Sequence, residues 1–339
     1  MTPMTRCPDH PMTRFLRFFL LCTWFCLPAA ASESQLIVLH KAASSLGFYT
    51  PDGRHLADVP VGKHPHELVL SPDGRYAWIT DNGTMRIEDA GTGGNTVSIV
   101  DLRERRKVGE VPLGEFRRPH GIDLDPKTGL LAVSTELPDR LVLIDTRTRR
   151  VTKHLDTQGR TSHMVKWAAG GRWAFVSNST SANVAAIDTE TGAVKLIPTA
   201  ARPEGSALSP DGKTLYVVNR EAAKITLVDV AARRVAGEIA TGNGPVRIAV
   251  TPDGRQLVYA LMHDQAVEFA DPASRKVLGR VALEGRPVSL TLSRDGKLAF
   301  ASAQDDDTVY VISVAGRKIE RKFKTAPGAG PDPVLEIGR

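Results

Sequence analysis

Glu67-Leu-Val-Leu-Ser-Pro-Asp-Gly-Arg-Tyr-Ala-Trp-Ile79 decides the fold. It reads as two short apolar strands joined by a Pro-Asp-Gly turn, and it comes back along the chain. The same pattern stands at Gly121-Ile-Asp-Leu-Asp-Pro-Lys-Thr-Gly-Leu-Leu-Ala-Val133 and at Met164-Val-Lys-Trp-Ala-Ala-Gly-Gly-Arg-Trp-Ala-Phe-Val176, with further copies beginning at Gly205, Arg247 and Ser289. Each copy runs on into an alternating strand that ends in an acidic turn, such as Thr96-Val-Ser-Ile-Val-Asp101 or Ile225-Thr-Leu-Val-Asp229. A fourth strand follows, as in Val108-Gly-Glu-Val-Pro-Leu113. Four short strands per repeat of about 42 residues, without helical periodicity, form the pattern of a propeller blade.

Six complete copies run from Lys63 to Ala326, whereas Gln35 to Gly62 supplies only three strands. The segment Asp332-Pro-Val-Leu-Glu-Ile337 has the character of the missing inner strand. Pairing it with the N-terminal strands completes a seventh blade and closes the ring, which removes exposed sheet edges. The expected fold is therefore all-β: a seven-bladed β-propeller with four-stranded antiparallel blades, a single domain over residues 32–339.

The first 31 residues read as a signal peptide: basic Arg14 and Arg17, an apolar run from Phe18 to Leu27, then Ala29-Ala30-Ala31. Met12, just before the basic pair, is an alternative start. Export to the periplasm or medium is the expectation, as a monomer with no membrane span, because no later apolar stretch reaches the length of an anchor. The residues before Cys22 and Cys26 lack the small side chains of a lipoprotein signal. All three cysteines precede the expected cleavage site, so the mature chain has no disulfide, thiolate nucleophile or Cys-ligated metal. Removing the leader lowers the formal charge from +6 to +4. That charge is mixed along the chain, which argues against a nucleic-acid groove.

Leu215-Tyr-Val-Val-Asn219, Ile225-Thr-Leu-Val-Asp229 and Gly242-Asn-Gly-Pro-Val-Arg247 together resemble the YVTN-repeat propellers, over the whole mature chain. The sequence is also similar to the haem-binding propeller of cytochrome-type nitrite reductase and its assembly relatives, and to lactonase-like propellers. The resemblance implies the seven-bladed fold and, more loosely, a periplasmic role beside a cofactor. The chain lacks the Cys-x-x-Cys-His motif of a c-type haem domain, so it does not take electrons by that route.

The repeat makes one position of each inner strand equivalent, just after the usual proline: His66, His120, His163, Glu204, Val246 and Val288, with Asp332 as a seventh. Three imidazoles and a carboxylate on consecutive blades suit a transition-metal ion, and one imidazole suits the axial position of a haem-type cofactor. His66, His120, His163 and Glu204 are thus the candidate metal ligands. Arg118, Arg202, Arg247 and Arg286, near the same level, are candidate contacts for a small anionic ligand or the anionic groups of a cofactor. The insertion Asp81 to Asn95 enlarges one connection on this face, bringing Met85, Glu88 and Asp89 toward the channel. Glu136, Asn178, Arg220, His263 and Asp305 begin the corresponding connections in other repeats. By contrast, Asp73, Asp211 and Asp253 belong to the opposite face as turn formers.

Taken singly, each histidine reads as a cap or a contact for channel water, and each arginine as the partner of a neighbouring carboxylate. Three functions follow from the set. The first is an exported binding protein that holds a metal ion or an anionic metal-bearing cofactor in an accessory, electron-transfer or assembly role. The second is a lactonase-like hydrolase in which an imidazole or Glu204 activates water and Arg118 or Arg202 stabilises negative charge. No Gly-x-Ser-x-Gly nucleophile motif supports it. The third is a non-catalytic platform for an exported protein partner.

Overall fold

The computed structural model describes residues 34–168 and 170–338; the expected leader, with its cysteines, lies outside them. The sheets are seven, each of four antiparallel strands. Blade 1 joins Gln35–His40, Ser45–Tyr49 and His55–Pro60 to the C-terminal strand Pro331–Ile337. Its register pairs Gln35 with Ile337 and Val38 with Val334, so the first and last strands of the domain close the ring as expected. Blades 2 to 7 follow in chain order, with innermost strands Pro65–Leu70, Arg117–Asp125, Ser162–Trp167, Pro203–Leu208, Pro245–Val250 and Pro287–Leu292. Each innermost strand touches those of the two neighbouring blades, and the circuit closes between Pro331–Ile337 and Pro65–Leu70.

The hydrophobic core lies between blades. Seven apolar clusters fill the seven interfaces; one of them packs Trp78 and Ile99 of blade 2 against Leu131 and Val142 of blade 3. The middle strands are therefore buried on both faces, while each outer strand alternates and buries one apolar residue near its end: Val59, Val111, Leu155, Ile197, Ile239, Val281 and Phe323. Arginines at positive φ in the turns before outer strands reach back onto the preceding blade. Arg105 lies over Phe48, Arg149 over Tyr76, Arg233 over Trp173 and Arg317 over Phe269. These cation–π contacts staple neighbouring blades at the rim.

The Pro-Asp-Gly aspartates form their turns. Oδ1 of Asp73 accepts the Ser71 hydroxyl at 2.5 Å and the Arg75 amide at 3.1 Å, and Asp211 and Asp253 repeat the arrangement. Those hydrogen bonds hold all three carboxyls below the ordinary carboxylate range.

Candidate functional site

The candidate residues sit at a flaw in the sheet. In blade 2 the register runs from Pro65–Asp81 directly to Leu68–Ile79, leaving one extra residue at His66–Glu67. The same shift falls at His120–Gly121, His163–Met164 and Glu204–Gly205. A bulge releases backbone groups from the ladder and redirects a side chain. Here hydroxyls from the second strands satisfy the released groups. Thr80 Oγ1 accepts the Glu67 amide at 3.0 Å and donates to the His120 carbonyl at 2.8 Å, one blade further on. Ser134 does the same between the Gly121 amide and the His163 carbonyl, and Ser302 Oγ donates to the Asp332 carbonyl. These bridges set the opening residues of adjacent blades at one height.

His66, His120 and His163 consequently meet at one mouth. Ring centroids of His66 and His120 are 4.0 Å apart and those of His120 and His163 3.8 Å apart, with 6.4 Å between the outer two. Carboxylates orient two of the rings: His66 Nδ1 lies 3.0 Å from Asp332 Oδ2, and His120 Nδ1 lies 2.6 Å from Glu136 Oε1. An Nδ1–H held by a carboxylate leaves Nε2 as the free, basic nitrogen. Burial, reinforced by neighbouring imidazoles and cations, holds His66 and His163 well below the ordinary histidine range, so both are neutral at pH 7. Burial pushes Asp332 up to about 7, against the opposing pull of Lys41. Lys41, in the first hairpin of blade 1, places Nζ 3.7 Å from Asp332 Oδ2.

One level deeper, Arg247 of blade 6 reaches Glu67 of blade 2 through Nε at 3.1 Å and Nη2 at 2.7 Å, with both side chains buried. Above, a cavity of about 310 Å³ is lined by the three histidines, Lys41, Glu204, Arg220, Arg247, Arg286, His263, Asp305 and Asp332. Met85 to Glu88 of the long insertion complete its wall.

The four expected metal ligands come together but do not form a metal cage: among the described residues no three His, Cys, Asp or Glu side chains are arranged to hold an ion. The rings lie face to tilted face, and Glu204 is held by Arg202 at 3.3 Å and Arg220 at 3.1 Å. Two of the expected anion contacts, Arg118 and Arg202, are not among the cavity-lining side chains. Arg118 donates to the carbonyls of Ile87, Asp89 and Gly91 and so fastens the insertion; Arg202 binds Glu88 at its tip at 2.6 Å. Arg247 and Arg286 do line the cavity, although Arg286 pairs with Asp305 at 2.5 Å. Asp89, expected to face the channel, instead accepts the Met85 and Arg86 amides within its own loop. Asn178 turns to Ser162, Thr157 and Asn183 and stays outside the cavity lining. Lys41 and Glu67 escaped sequence reasoning; the charge of Glu67 opposite Arg247 at equivalent inner-strand positions was the available signal.

Buried polar atoms left without a partner here, among the described residues, include His120 Nε2, His163 Nδ1 and Asp332 Oδ1. Unpaired buried polar atoms are costly, so their clustering at one cavity fits a ligand that would satisfy them. Neutral imidazole nitrogen suits a transition metal carried in by a cofactor, and the guanidinium groups of Arg220, Arg247 and Arg286 suit its anionic groups.

The fold and this mouth define a seven-bladed β-propeller with a histidine-lined polar cavity at one end of its channel. A YNCE-like beta-propeller family model matches residues 152–251. The hydrazine synthase subunit beta of Kuenenia stuttgartiensis is 26% identical over 180 residues, which are 49% of this chain and 41% of that protein. This chain thus aligns with less than half the length of that curated relative. Among solved structures, Kuenenia stuttgartiensis hydrazine synthase has a TM-score of 0.63 at 21% identity, covering 74% of this chain and 76% of that one. Dihydro-heme d1 dehydrogenase NirN in complex with DHE has a TM-score of 0.63 at 18% identity, covering 87% of this chain and 64% of that one. The chain is therefore related in fold to these propellers. No helix among the described residues is long and apolar enough to cross a membrane.

Proposed function

We propose that this chain is an exported periplasmic binding protein, which takes an anionic, metal-bearing cofactor of the haem type at its channel mouth and serves an accessory or assembly role. The observation that carries this reading is the trio of buried imidazoles, two of them oriented by carboxylates, opening on a cavity rimmed by arginines. His120, through its unpartnered Nε2, is the first choice to meet the metal, with His163 beside it. Arg220, Arg247 and Arg286 would take the anionic groups. The bound metal would supply redox chemistry. The protein's part is to hold the group on rigid strands, away from bulk water. A cavity of about 310 Å³ is at the small end for organic ligands, so a macrocycle requires Met85 to Glu88 to move aside.

The relatives support the reading in kind, since one is described in complex with DHE. The test is an absorption titration of the purified mature protein with haemin. A shifted, saturable band that weakens in His120→Ala is expected; an unchanged spectrum together with metal-free protein from native periplasm overturns the reading.

A second reading draws on the His120–Glu136 pair at 2.6 Å, an imidazole held by a carboxylate as in many general bases. Turnover of lactones or esters, lost in His120→Ala, would favour it over binding alone.

A further inference from the structure

The insertion of blade 2 crosses the mouth and ends on the far side. Glu88 at its tip lies 2.6 Å from Arg202 Nη2 and 3.7 Å from Arg220 Nη2, both on blade 5 and more than 110 residues away in sequence. The same guanidinium groups hold Glu204 on the innermost strand of that blade. At this largely buried fork Arg202 and Arg220, each under 20% exposed, share one buried carboxylate. Glu221, at 3.8 Å from Arg202 and 58% exposed, is a peripheral partner on the outer side. Glu88, itself 61% exposed, approaches from the cavity side and makes the shorter contact with Arg202, 2.6 Å against 3.8 Å.

We infer that Arg202 and Arg220 form a recognition subsite for a ligand carboxylate, and that Glu88 occupies it in the free protein as a built-in stand-in. This rests on the proposed binding role of the cavity and specifies the ligand's acidic group. Three features carry it. The fork lies on rigid strand ends, and Glu204 behind it is 4% exposed, so the arginines are preset. Arg118 holds the carbonyls of Ile87, Asp89 and Gly91, on either side of Glu88, so Glu88 reaches the fork by its side chain from a backbone that Arg118 fixes. Glu88 and the neighbouring Met85, Arg86 and Ile87 line the cavity, so a carboxylate that replaces Glu88 also frees the loop of its side-chain tie to blade 5. The Glu88 end of the pair is open to solvent, which weakens its hold on the fork and lets another carboxylate replace it. Bidentate guanidinium–carboxylate geometry favours a carboxylate over a spherical anion.

Citrate, added to the mature protein, is the probe. Calorimetric titration should show saturable binding, and Glu88→Gln should bind about two- to fivefold more tightly, the worth of an exposed ion pair. Hydrogen exchange in residues 84–91 should rise when citrate binds the native protein. Arg220→Lys keeps the charge near Glu204 but loses the fork, and should weaken citrate binding about tenfold or more. Chloride at equal ionic strength should not substitute. No citrate binding, equal affinity in Glu88→Gln, or unchanged exchange in the insertion would overturn the subsite. Haemin and its dimethyl ester separate this from the broader reading. If both bind alike and citrate fails, the cavity holds a cofactor but the carboxylate subsite is wrong; if citrate behaves as expected and haemin never binds, the cofactor assignment is wrong.

Discussion

Replacing Gly121 by alanine should push apart the two strands that carry His120 and His163. A Cβ at this position would lie 2.6 Å from the His163 carbonyl oxygen and 2.8 Å from Met164 Cα and Val165 N. All three are backbone atoms of the next blade, so no side chain can swing away. Restoring an ordinary contact of 3.4 Å requires the strands to separate by about 0.8 Å. Such overpacking costs about 1–3 kcal/mol, against which the stiffer unfolded chain returns about 0.4–1 kcal/mol. A net loss of about 1–2 kcal/mol is expected, read as a lower urea midpoint by tryptophan fluorescence. Gly109→Ala is the control, because its Cβ meets only the flexible Arg149 guanidinium at 3.4 Å. Equal midpoints for the two variants would refute the claim that close strand approach sets the imidazole spacing.

Other outcomes follow from the same geometry. Arg247→Met leaves the Glu67 carboxylate buried without its partner and should destabilise by about 3–5 kcal/mol, whereas Arg247→Met with Glu67→Leu should recover most of that in urea titrations. Asp81 is buried and raised to about 6, so its stabilising contribution is complete below about pH 4 and disappears as pH rises through 6; the change is about 3 kcal/mol. Midpoints measured between pH 4 and pH 7.5 should show this slope, and Asp81→Asn should flatten it. His40 acts in the opposite sense: burial lowers it to about 4, so stability falls as pH drops from 6.5 through 4, and His40→Gln should reduce that loss. Nitrogen NMR of the imidazole rings should find His120 with its proton on Nδ1, as its carboxylate partner requires.

The repeat was legible because a blade is a local object: strand, turn and acidic corner recur at fixed spacing, and Pro72-Asp73-Gly74 announces its own geometry. Ring closure was legible for the opposite reason, as Gln35–Pro60 lacked one strand and Pro331–Ile337 supplied it. The shared level of His66, His120 and His163 followed from rotational equivalence, though not how closely the rings approach. Their chemistry did not, because a bulge of one residue and the hydroxyls of Thr80 and Ser134 set ring direction, and neither changes the apolar pattern. The partners of Arg118 and Arg202 were not legible, because equivalent positions in a repeat share backbone placement and not side-chain partners. One long insertion, present in blade 2 alone, drew both toward itself.

Because blade 1 is assembled from both extremes of the domain, the cavity wall is unfinished until the chain is complete. Lys41 arrives with the earliest strands and Asp332 with the last, and their contact at 3.7 Å exists only after the circle is joined. On the proposed binding role, occupancy of the mouth is coupled to successful maturation: a molecule stalled during synthesis or clipped before Pro331 would have six sound sectors and no competent pocket. Ligand capture would then act as a seal of quality, adding its binding energy to the one seam where the circle can reopen.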